Sequence, residues 1–319
     1  MQQRMDVLDF LKGIFVILMI TFHLVYISES YPYVKRVVYT FHMPGFLIIS
    51  GYLMNISKPR RDVMGTLLGY AIPYIIMECG YIVMASALPI REHIDHLTWR
   101  VFIEKLFLHP IGPYWYLQTL IVCGLSYFTV FMYIPMKTVS KIILLGIIFH
   151  LLSDGVGLMT LACSLYFLAG VIVRQSHLSF TDVFQSSGLA ILAFMLLAIH
   201  PQNLHMEQSG AVLMVFLIIS GSLFAFNYTN LKLRLVILYL GKHTMPLFLF
   251  SPIFTFLCKP LVPLLQFEPT GIVFLCVSLL ICTAGSLGIE WTLKQLGLTQ
   301  YFYMQTNNKM PNTLTKKKQ

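Results

Sequence analysis

Charge is what this sequence has least of. Only 11% of its 319 residues are Asp, Glu, Lys or Arg, where a soluble domain carries about 25%, and acidic side chains are the scarcest, 13 against 22 basic ones. With 57% hydrophobic residues and a mean hydropathy of +0.75, too few polar groups exist to screen a core from water, which excludes a soluble enzyme. Alternating segments of about ten residues, the mark of a membrane barrel, are missing as well. There is no Walker A loop, GxGxxG, HExxH or metal-spaced Cys/His cluster, so nucleotide-driven transport, nicotinamide chemistry and zinc hydrolysis lose their usual signals, and no metal is expected. The six cysteines, Cys79, Cys123, Cys163, Cys258, Cys276 and Cys282, all lie in apolar stretches without a CxxC pair and read as reduced packing residues.

What remains is apolar sequence in lengths that match the roughly 30 Å hydrocarbon layer. Hydropathy and helix breakers predict ten spans, 7–27, 37–56, 64–88, 113–135, 139–152, 157–173, 184–200, 210–227, 234–257 and 271–293, hence an all-α, polytopic transmembrane bundle. Arg4, Lys58, Arg60, Arg61, Lys137, Lys141, Arg174, Lys232, Arg234, Lys294 and Lys316–Lys318 fall on one side and fewer basic residues on the other, which places both termini in the cytoplasm. The net charge of +9 is therefore read as topological, and no nucleic-acid partner is expected. The N-terminus has a basic start before an apolar run, but Asp6 and Asp9 interrupt it and no small-residue cleavage site follows, so it is read as an uncleaved first helix. Residues 1–300 are read as one transmembrane domain and 301–319 as a basic, flexible cytosolic tail beside anionic lipid. The stretch 89–112 mixes charge and apolar residues at near-helical spacing and has two readings, an amphipathic surface helix or a solvated loop.

Ionisable groups inside such a bundle normally face a cavity or a partner. In the first span, "DFLKGIFVILMITFH", Lys12 and His23 are eleven residues apart, three helical turns plus about 20°, so they share one face about 16 Å apart. Asp9, one turn before Lys12, is placed to neutralise it. The second span enters from the other side with "YTFHMPGFLIISGYLM", which brings His42 to the depth of His23, and Met43-Pro44 is expected to kink or unwind the helix. Ser50-Gly51 reads as a close-packing pair rather than a nucleophile. "GPYWYLQTL" stacks Tyr114, Trp115 and Tyr116 with Gln118 at the histidine level, as an interfacial aromatic belt or as a platform for sugar rings. Glu78, mid-membrane in the third span, joins these as a candidate substrate contact. "YLGKHTMPLF" buries Lys242 and His243; Lys12, Lys242 and His243 form either a basic pocket for an anionic cofactor or, with Glu290 paired to Lys242, a salt bridge between helices.

"DFLKGIFVILMITFH", "FHMPGFLIISGYL", "GPYWYLQTL" and "YFLAGVIVR" together resemble the integral-membrane acyltransferase family 3, most closely its branch related to fucose O-acetylases and exopolysaccharide-synthesis proteins. The resemblance is strongest over 6–56 and extends to about 293. It implies transfer of an acyl group, usually acetyl from acetyl-CoA, onto a hydroxyl of a sugar or cell-surface glycan precursor, free or lipid-linked, by a multi-pass protein of the cytoplasmic (inner) membrane in contact with its lipids. In that family a basic residue, commonly Arg, precedes an essential His by eleven positions, which corresponds to Lys12 and His23 here. Lys keeps the charge but not bidentate phosphate recognition. Where many members carry a His at the end of "LGKHTMPLFLFS" this chain has Ser251, so no role is assigned there. Taken with the shared depth of His42 and the basic stretch at Lys242, the resemblance makes His23 the expected general base, His42 its catalytic partner at the same level, and Lys12 and Lys242 the expected contacts to acetyl-CoA. The competing reading of the same buried charges is a transporter or flippase for a lipid-linked glycan. Nothing in the sequence sets the oligomeric state.

Overall fold

The computed structural model describes residues 2–88, 92–299 and 302; at the N-terminal end side chains are described from Asp6 onward. The expected tail, 301–319, lies outside the described residues except at Phe302. Among the described residues the chain is 80% helical with no strand, an all-α membrane bundle. The helices in order are α1 (Gln2–His23), α2 (Val25–Ser30), α3 (Pro32–Leu53), α4 (Arg60–Ala87), α5 (Trp99–Phe107), α6 (Trp115–Tyr133), α7 (Thr138–His150), α8 (Leu161–Gln175), α9 (Phe180–Val183), α10 (Leu189–Ala198), α11 (Ser209–Tyr228), α12 (Leu231–Lys242), α13 (Thr244–Leu257), α14 (Val262–Leu265) and α15 (Ile272–Gln295).

The core of the bundle is apolar, with a few polar groups such as Asp9, His42 and Glu78 buried in it. Two of the apolar spans sit at the rim of the bundle: only 11% of the α7 span and 22% of α15 are covered by protein. α1 and α3, which carry the histidines and Lys12, are in contrast mostly buried. The reason is the cost of placing charge in hydrocarbon: ionisable side chains tolerate the membrane only where other helices shield them from lipid.

Glycines set how closely the central helices approach. α3 and α8 cross where Gly51 leaves room for the Phe167 carbonyl and Gly170 leaves room for the Ile48 carbonyl. The two quoted motifs "SGYL" and "YFLAG" are thus the two halves of one helix crossing. On the other side of α1, Gly13 admits the Ile237 carbonyl and Gly241 of α12 admits that of Asp9. Gly45 of α3 accommodates the Phe15 ring of α1, which also meets Phe46 edge-on at 5.6 Å.

Three expectations change. The span read at 234–257 is two helices, α12 and α13, bent by 85° at His243. The helical register survives Met43-Pro44, since α3 runs without a break from Pro32 to Leu53; its proline starts the last half of a helix already held by α1 and α8. The first helix ends at His23, and the chain continues as the short α2. In the 89–112 stretch, α5 forms behind a Thr98 side chain that accepts from the Val101 N–H at 3.3 Å, with Leu106 buried and Trp99 exposed.

Candidate active site

His23 closes the last turn of α1, and its Nδ1 lies 2.7 Å from the Met19 carbonyl oxygen. His42 repeats the arrangement inside α3, Nδ1 to the Val38 carbonyl at 2.8 Å. A carbonyl only accepts, so Nδ1 carries the proton in both rings, and each neutral imidazole presents Nε2 as a bare lone pair. His42 is 2% exposed, and its Nε2 has no hydrogen-bond partner among the described residues. Tyr39 lies between the two rings, 6.4 Å from His23 and 5.2 Å from His42, with its hydroxyl donating to the Phe22 carbonyl at 3.2 Å.

Both histidines line a chamber of about 90 Å³ walled by Met19, Met43, Trp115, Met206 and Phe248. Toward the other end of α1 is a larger cavity of about 280 Å³, with Lys12, Lys58 and Lys242 at its edge and Phe46, Ser50, Tyr70, Tyr116 and Phe248 in its walls. Phe248 belongs to both. The distance predicted between Lys12 and His23 therefore separates two cavities that share one aromatic wall.

The sequence-predicted residues fall into two groups. His23, His42 and Trp115 meet in the chamber, while Lys12, Lys242 and Tyr116 meet in the cavity at the lysine end. Successive residues on a helix point about 100° apart, which is how Trp115 and Tyr116 serve different cavities. Tyr114, Gln118 and Glu78 line neither. Tyr114 is 2% exposed and donates to the Leu249 carbonyl at 2.9 Å, fastening α6 to α13. Gln118 Nε2 donates to the Phe107 carbonyl at 2.7 Å, and Glu78 Oε1 accepts from the Ile111 N–H at 2.7 Å. Glu92 accepts from the Gly112 N–H, so the 107–112 turn is held at three points, and Gly112 there has φ +67°.

Asp9 does pair with Lys12, at 2.7 Å. Lys242 is exposed rather than enclosed, because α12 ends there and the chain turns into α13. Its expected partner Glu290 instead stands 3.9 Å from His243 Nε2, while His243 Nδ1 donates to the Tyr239 carbonyl at 2.8 Å. Among the described residues Lys58 and Lys242 form no ion pair. Lys58 and Tyr70 are cavity residues that sequence reasoning misses: Lys58 is already accounted for as a topological charge, and nothing local marks Tyr70.

The fit to an acyl-CoA can be tested on these groups. Two cations without ion-pair partners among the described residues, and a third already paired, stand at the edge of an otherwise apolar and aromatic cavity. That donor set suits phosphates outside and an uncharged thioester arm inside.

Fold and site define a polytopic helical membrane protein with two adjoining cavities, one lined by His23 and His42 and the other edged by Lys12, Lys58 and Lys242. Compared with known families, the chain matches the acyltransferase domain of acyltransferase family 3 over residues 5–291. It belongs to that family, and membrane acyltransferase activity is what the membership supports. No curated protein and no solved structure matches the chain.

Proposed function

We propose that the protein transfers acetyl from acetyl-CoA to a hydroxyl of a sugar or glycan precursor, as a multi-pass protein of the cytoplasmic membrane with both termini inside. The observation that carries this reading is the pair of imidazoles that expose bare Nε2 atoms to one chamber, backed by a cation-edged cavity. Acetyl-CoA supplies an activated acyl carbonyl, and Lys12, Lys58 and Lys242 are the residues that hold its phosphates.

Within the chamber the chain's own groups divide the work. His23 Nε2 takes the proton from the acceptor hydroxyl as its oxygen attacks the acyl carbonyl, and returns it to the CoA sulfur as the carbon–sulfur bond breaks and CoA leaves as the thiol. His42 has its only N–H committed to Val38, so it orients the acceptor by accepting from a second hydroxyl beside the one His23 deprotonates, and it is unable to donate to a developing oxyanion. Trp115 lines the same chamber, and its indole N–H, a donor only, is the group suited to the acyl oxygen. Family membership favours this transferase over a glycan exporter built on the same buried charges.

The test is CoA release and label transfer from radiolabelled acetyl-CoA to a glycan pool, for nanodisc-embedded wild type and His23→Ala. Removing a general base lowers turnover by roughly 10²–10⁴-fold, with elution volume and thermal stability kept. Near-normal transfer by a folded His23→Ala protein overturns the assignment.

A further inference from the structure

A third cavity, of about 700 Å³, lies outside the site described above, between α8, the 204–208 turn and the end of α7. Its polar end carries Asp154, Glu207, Ser153 and Thr160, and no Lys or Arg among the described residues lines it. Met206 belongs both to this cavity and to the histidine chamber. Its backbone is fixed there by the Tyr166 hydroxyl, which donates to the Met206 carbonyl at 3.0 Å. The cavity thus abuts the chamber into which the buried, unpartnered Nε2 of His42 opens.

Two further features shape it. α7 ends in one π-helical turn, Leu151–Gly155, a distortion that recurs at functional sites, and this turn presents Ser153 and Asp154. From Thr160 the cavity follows α8 to Ala169, nine residues or about 13 Å. Along that path Ala162 and Ala169 line the cavity, while Leu165 of α8 and Val212 of the facing α11 are 45% and 53% exposed, a surface that a hydrocarbon tail would reach. The result is a furrow, polar at its rim and apolar down its length.

We propose that this cavity is the acceptor site, and that the acceptor is a lipid-anchored headgroup, rich in hydroxyls and without negative charge, whose tail lies in the α8 furrow. This rests on the transferase reading above. Carboxylates accept strong hydrogen bonds from sugar hydroxyls; Asp154 is itself oriented by His150 Nδ1 at 3.1 Å. The same pair of carboxylates repels a phosphate or uronate placed beside them. A water-soluble sugar has no use for the furrow, and a plain lipid has none for the rim.

The experiment is saturable binding of tritiated decyl β-D-glucopyranoside and decyl β-D-galactopyranoside to the full chain in phosphatidylcholine nanodiscs, without any acyl donor. We expect saturation with at least one glycoside, a roughly tenfold weaker Kd for the double variant Asp154→Asn/Glu207→Gln, and a similar loss for Ala169→Phe, which fills the furrow without touching the rim. The rim variant changes two exposed side chains, so its folding is not in question. Free glucose or galactose at equal concentration should not displace the probe. Absence of saturable binding, displacement by the free sugar as effective as by the glycoside, or an unchanged Kd in both variants overturns the proposal. Because no donor is present, failure of the transferase reading shows separately, as absent CoA turnover with binding intact.

Discussion

Ser50 of α3 and Tyr116 of α6 share a 3.0 Å hydrogen bond in the wall of the cavity at the lysine end. The Tyr116 ring is 6.0 Å from Phe46 and 5.4 Å from Phe248, so the serine hydroxyl holds one ring of an aromatic cluster that walls the cavity. Tyr116→Phe and Ser50→Ala should each cost about 1 kcal/mol of stability and raise KM for acetyl-CoA while leaving transfer measurable. A double-mutant cycle read by thermal unfolding and by KM should show the two changes to be strongly non-additive; additive losses would mean the pair is not coupled.

The α3 and α8 crossing makes a sharper demand. A methyl group on Gly170 meets the Ile48 carbonyl, and backbone has nowhere to go. Gly170→Ala should therefore destabilise by about 1–3 kcal/mol or more, the range of overpacking, visible as lost expression or a lower Tm. Gly80 of α4 is the control: nothing lies within 4 Å of an added Cβ, so Gly80→Ala should be neutral or stabilising by about 0.4–1 kcal/mol.

Lys12 should act on donor binding rather than on chemistry. Lys12→Ala is expected to raise KM for acetyl-CoA roughly tenfold, the order of one charge-assisted hydrogen bond, with kcat changed far less. The wild-type KM should rise with ionic strength. A fall in kcat with unchanged KM would detach Lys12 from the phosphates.

Glu268 caps the start of α15 from the loop before it. The Thr270 hydroxyl at 2.5 Å and its N–H at 2.7 Å, ahead of the Ile272 N–H at 2.8 Å, hold its carboxyl below the ordinary range. A depressed carboxylate contributes its stability above the unfolded pKa, about 4.3, and loses it as pH falls through the folded value. Wild type should therefore melt above Glu268→Gln at pH 6–7, with the gap unchanged down to the unfolded pKa of about 4.3 and closing only below it. A gap independent of pH would mean the charge is not what the cap uses.

Much of this arrangement is legible in the sequence because it rests on helical periodicity. Eleven residues fix the face and separation of Lys12 and His23 whatever surrounds them, and the "SGYL" glycine already reads as a packing device. Illegible features are those set by contacts distant in sequence. Glu78, Tyr114 and Gln118 look like ligand-binding groups by type and depth, yet each is committed to a backbone group 33, 135 and 11 residues away. The 85° turn at His243 has no proline at the break itself, and only the close approach of Gly241 to α1 shows why α12 stops following the path of α13. The π turn that presents Asp154 leaves no mark in composition at all.

Phe248, a single ring shared by two cavities, has a consequence for the membrane as an electrical insulator. A continuous passage through the bundle would be a leak for protons and small ions as well as a route for substrate. Phe248 lines both cavities, so on the proposed transferase reading a rotation of its ring is the motion that would let an acyl chain pass between them without an open conduit persisting. On that reading the protein would bring a reagent from one face to chemistry at the other without behaving as a channel.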